Sequence, residues 1–158
     1  MHVNTLGIAF TRLHMDTPDG VCIQGRPTYN GAIMIRDFTL SAPETCILLE
    51  RGSTGMLSLE AGSMAAGRTG VDASGSSLTL SACKGPAGCP ALTLRDAQCV
   101  VCVDAVDALS IDNPCGAAIV ESGPRRETRI DEAVPAFRTH TRRGDRYTSL
   151  EPDGTGDR

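Results

Sequence analysis

The chain has 158 residues, enough for one domain with a real core, and 41% of them are apolar, yet only 3% are aromatic and none is Trp. A formal net charge of −4 excludes a nucleic-acid-binding face over the whole chain, because neutralising phosphates needs a basic surface. No window reaches the roughly 18 apolar residues of a membrane span, so no membrane partner is expected.

Residues 2–13 hold enough apolar and β-branched side chains for one strand. MDTPDG at 15–20 reads as a turn, with Pro18 presetting φ and Gly20 closing it. Val21-Cys22-Ile23 is a short strand, stopped by a second turn cluster, GRPTYNG, at 25–31. In 32–40, AIMIRDFTL, Phe38 and Leu40 fall on one face and Asp37 and Thr39 on the other, a period of two that predicts a strand. Residues 46–60 predict two strands about a turn at 52–55. A helix over 56–66 competes on propensity, and Gly62 with its flanking glycines decides against it. GRTGVDASGSS at 67–77 reads as a Gly/Ser-rich loop.

Residues 78–115 carry the strongest signal. Three times an apolar–hydroxyl–apolar triplet appears there: Leu78-Thr79-Leu80, Leu92-Thr93-Leu94 and Leu109-Ser110-Ile111. Upstream the same pattern occurs as Phe38-Thr39-Leu40 and Leu57-Ser58-Leu59. The triplets begin at positions 38, 57, 78, 92 and 109. They thus recur at intervals of roughly 14–21 residues, a loose internal repeat. KGPAGCP at 84–90 is its one long turn, QCVVCVDAVD at 98–107 is a Val-rich strand, and GAAIV at 116–120 is a last strand. From 124 to 158 the apolar residues thin out and charges crowd. Such a segment buries too little to offset an ordering entropy of roughly 1–2 kcal/mol per residue. Two regions are expected: a β-rich core over 1–123 and a disordered charged tail over 124–158, with one transient helical turn at 130–136.

One strand of the triplet pattern cannot bury its apolar face alone. If copies stack in parallel, Phe38, Leu57, Leu78, Leu92 and Leu109 form one inward column, and Leu40, Leu59, Leu80, Leu94 and Ile111 a second. Thr39, Ser58, Thr79, Thr93 and Ser110 then form an outward hydroxyl column. Over residues 32–123 this spacing resembles the right-handed parallel β-helix of pectin-lyase-like proteins. The expected fold is all-β, a short irregular parallel β-helix; the alternative is an antiparallel β-sandwich in which such triplets recur because strands favour them.

That resemblance implies polysaccharide-active enzymes, which use clustered carboxylates on one outer face. Here the candidates are Asp96, Asp104, Asp107 and Asp112, and two carboxyls roughly 5–10 Å apart could act as acid and base on a glycosidic bond. The positions after the triplets, Ser41, Glu60, Ser81, Arg95 and Asp112, make a mixed row instead of an acidic cleft. A zinc site would draw on Cys83, Cys89, Cys99 and Cys102. Cys99 and Cys102, three apart in a strand pattern, point to opposite faces, and an inward column of soft side chains accounts for Cys46, Met64, Cys83, Cys99 and Cys115 more simply. No cofactor is expected. With His2 and His14 near the chain start and His140 in the expected tail, nucleophilic hydrolysis is poorly supported. Arg143-Gly144-Asp145 matches an integrin-type tripeptide, but within a stretch rich in all three residue types.

The sequence thus points to a non-enzymatic structural or binding solenoid, with a polysaccharide-active enzyme or its remnant as the alternative. A glycan or a protein surface is the expected partner, with self-association through the open solenoid ends. Seven cysteines and the lack of a basic, apolar leader make the cytoplasm the favoured compartment.

Overall fold

A computed structural model describes residues 7–104 and 109–122, together with the strand segments 2–3, 129–132, 137–141 and 151–152. Among the described residues there is no helix, and the strands wind as a parallel β-solenoid. The chain passes alternately between two sheets. A seven-stranded sheet is built from β1 (His2–Val3), β4 (Val21–Gly25), β6 (Thr45–Leu49), β8 (Thr69–Ala73), β10 (Leu92–Leu94), β12 (Ser110–Asn113) and β14 (Arg129–Glu132). A nine-stranded sheet takes β2 (Gly7–Thr11), β5 (Ala32–Ala42), β7 (Met56–Ala66), β9 (Ser77–Ser81), β11 (Val100–Asp104), β13 (Ala118–Ser122), β15 (Phe137–Thr141) and β16 (Glu151–Pro152), with β3 (His14–Asp16) beside β5.

Register explains why this sequence stacks. In the nine-stranded sheet Ile8, Ile33, Leu57, Leu78, Val101 and Ile119 lie one above another. One rung therefore takes roughly 20 residues, and the rungs are unequal in length. In the seven-stranded sheet Ile23, Ile47, Val71, Leu92 and Ile111 also stand in one column. Like sits on like, and nearly all these side chains are fully buried between the sheets.

The triplets contribute to this core, but not as one column. Leu57-Ser58-Leu59 and Leu78-Thr79-Leu80 are true register partners in the nine-stranded sheet. Leu92-Thr93-Leu94 belongs to the other sheet, where Leu92 meets Ile111, so the last triplet is offset by two positions. Phe38 stands beside Gly62, because Ile33 and Ile35 occupy the places next to Leu57 and Leu59. Thr93 is only 4% exposed and donates to Thr69 Oγ1 at 3.1 Å, so it does not belong to an open hydroxyl column.

A second repeat sets the cross-section. Arg12, Asp37, Ala61 and Ala82 all adopt positive φ, at 57°, 51°, 53° and 50°. Each follows one member of the register series Thr11, Arg36, Glu60 and Ser81, so the four lie at one height of four successive rungs. This left-handed step kinks β5 and β7 in mid-length and separates β2 from β3; the single strand expected over 2–13 is instead β1 and β2, which belong to different sheets. The kink divides the nine-stranded sheet into two panels.

The loop expected at 67–77 is in fact a rung, since Thr69–Ala73 is wholly buried as β8. Its glycine there has a packing reason: a Cβ on Gly70 would lie 2.7 Å from the Ala91 carbonyl oxygen. Beyond residue 123, β14 pairs with β12 and β15 with β13, and 129–132 is extended where a helical turn was expected. Apart from β16, the rest of the tail, Arg143, Gly144 and Asp145 included, lies outside the described residues.

Candidate functional site

Three of the four candidate carboxylates, Asp96, Asp104 and Asp112, are among the described residues, and each stands on a different element. Asp96 sits in the turn after β10, its Oδ1 accepting the Gln98 backbone N–H at 2.9 Å. Asp104 is exposed at the end of β11 in the nine-stranded sheet, whereas Asp112 is half-buried in β12 of the seven-stranded sheet, in register with Thr93. Asp107 lies outside the described residues.

The recess nearest to a site is an open one of about 390 Å³, lined by Arg51, Ser74, Arg95, Asp96 and Ala97 at the corner between the sheets. It contains one carboxylate, where cleavage by acid and base needs two. Arg95 is already engaged: its Nε and Nη2 donate to the two oxygens of Asp72 at 3.0 and 3.1 Å. Asp72 is 7% exposed and is the buried charge of this region. Sequence reading missed it because it lay within the supposed loop.

The cysteines divide between two corners and one surface. Cys22 and Cys46 repeat a single arrangement one rung apart, donating to the carbonyls of Ser41 and Ala65, which are themselves register partners. Cys89 donates to Ala66 O at 3.2 Å, and Cys83 to Leu59 O and Ser81 O. Cys99 and Cys115 line the opposite corner, donating to the carbonyls of Ala73 and Leu94. Cys102 lies on the outer face of β11. The seven cysteines form no disulfide, and Cys83, Cys89, Cys99 and Cys102 are distributed over these three places. Among the described residues no three of His, Cys, Asp and Glu converge as metal ligands. Burial pushes the Cys46 thiol up to about 12 and that of Cys83 to about 11. These sulfurs pack as small apolar groups and donors, not as thiolates.

The remaining feature is a surface. Alternation along the first panel of the nine-stranded sheet turns Gly7 and Ala9, Ala32 and Met34, Met56 and Ser58, Ser77 and Thr79, Val100 and Cys102, and Ala118 and Val120 outward, as six stacked pairs. No charge occurs in either column. Met34, Met56 and Val100, the large apolar side chains that stand exposed among the described residues, are 42%, 51% and 42% exposed and all lie here. The next column out is charged, with Arg36 and Glu60 paired at 2.6 Å. No sequence signal marks this patch, since its members come together only through register across six rungs.

Fold and surface together define a parallel β-solenoid with one flat, uncharged panel. Compared with known proteins, the chain matches no family model, no curated protein and no solved structure.

Proposed function

We propose that this chain is a non-enzymatic β-solenoid module that acts by presenting a binding surface, and that its partner is a protein surface. The observation that carries this reading is the uncharged outer panel that gathers Met34, Met56 and Val100. Exposed apolar side chains concentrated in one patch mark interaction sites, whereas scattered ones carry no such meaning. The recess at the corner supports the same reading, because Asp96 is the one carboxylate in its lining and a glycosidic bond must be gripped by two carboxyls at once.

The second reading is a polysaccharide-active enzyme of the pectin-lyase-like kind, or the remnant of one. It is favoured by the recess in which Arg51 and Arg95 stand beside Asp96, a lining suited to an acidic sugar. Incubation with a uronate polymer, followed by reducing ends and by absorbance of unsaturated products, separates the two. No turnover is expected; cleavage that disappears in Asp96→Asn would establish the enzyme instead.

A further inference from the structure

We infer that the uncharged panel pairs with a second copy of this chain, face to face, about a twofold axis that runs along the stack, between the two outward columns. The inference rests on the surface reading above and adds the identity of the partner.

Such an axis keeps each rung opposite its own copy and exchanges the columns. Met56 then meets Ser58 of the second copy, and Met34 meets Ala32. Val100 meets Cys102, and Ala118 meets Val120. Gly7 meets Ala9, and Ser77 meets Thr79, a pair of hydroxyls that can hydrogen-bond. In every pair that holds a long side chain, the other member is short, so the panel is complementary in shape to itself.

Charge points the same way. A panel with no charge meets its own image without like-charge repulsion, which an acidic chain of net −4 would otherwise face. At the rim, Arg36 and Glu60 come opposite positions near Asn30 and Thr54 of the second copy, where their polar ends remain hydrated.

Size fixes the strength. Six rungs at ~4.8 Å and five residues at ~3.3 Å give a patch of roughly 480 Å² per copy. Stable complexes bury about 800 Å² per partner, so the association is weak and reversible.

Sedimentation or light scattering over a concentration series tests this on the full chain. The wild type is expected to pass from monomer to dimer as concentration rises. Met56→Lys, with its side chain in solvent in the monomer, should melt as the wild type does and weaken the dimer by about tenfold or more. Adding Ser58→Glu to Met56→Lys sets opposite charges against each other twice across the axis and should restore association. A wild type that stays monomeric, a Met56→Lys dimer as tight as the wild type, or a double variant that does not recover would each overturn the inference. A monomer that cleaves no glycan would leave the non-enzymatic reading standing, and only cleavage removes that one.

Discussion

Gly62 is a glycine because of Phe38. A Cβ at that position would lie 2.3 Å from the ring, which is buried against the backbone of the next rung. Gly62→Ala should therefore cost about 1–3 kcal/mol by overpacking, read from denaturant melts. Phe38→Leu in the same background should recover part of it, and additive losses would show that ring and glycine are independent. The Asp72–Arg95 pair obeys a different rule, since it is polar and mostly hidden. Arg95→Ala leaves the Asp72 carboxylate buried without its two donors and should cost about 1–3 kcal/mol, a range held down by the exposure of the arginine. The thiols give a pH dependence whose sign follows from burial. Cys46 ionises near 9 when unfolded and near 12 when folded, with Cys22 nearby adding to the effect of burial. The unfolded chain therefore sheds its proton first. Stability that is full below pH 9 should decline as pH rises toward 12, and Cys46→Ala should flatten that decline in a plot of Tm against pH.

Strands were legible wherever a period of two ran unbroken, as in 38–40 and 78–80, because alternation is a local consequence of burying one face. What was not legible is which strand lies on which. The triplet search aligned Phe38 with Leu57, yet the chain reaches that rung with Ile33 and Ile35 and only then kinks at Asp37. Nothing local announces such a kink. Asp, Arg and Ala all occupy it, although a left-handed backbone costs a residue with a Cβ about 1–2 kcal/mol. The strain is met by the rungs above and below, which hold every kink at the same height. Ala82→Gly should then be neutral or stabilising by up to about 1 kcal/mol, and Ala82→Val clearly destabilising. Equal effects from the two would mean that the backbone at this corner relaxes. The candidate site was opaque for the same reason as the register: Met34, Met56 and Val100 belong to three separate rungs and share a face only in the stack.

In the molecule as a whole, rungs of unequal length share one register, so the differences are absorbed at corners such as 84–90 while the columns stay aligned. Each rung rests on the two beside it, the condition for stability that accumulates along one dimension. Of the charged segment after 123, the strands β14 and β15 alone are described as pairing with this stack, on β12 and β13. Truncation after Gly123 should expose the edges of β12 and β13, lowering Tm and promoting aggregation; an unchanged melt would show that these pairings add nothing.

The parallel stacking has a mechanical consequence. Strands lie across the long axis, and the hydrogen bonds between rungs run along it. A pull applied between the two ends of the stack therefore loads one rung at a time, as in opening a zipper, where a pull along the strands would load a whole row in shear. A single molecule held by its ends should lengthen in a series of low-force steps, each releasing the chain of one rung, roughly 20 residues.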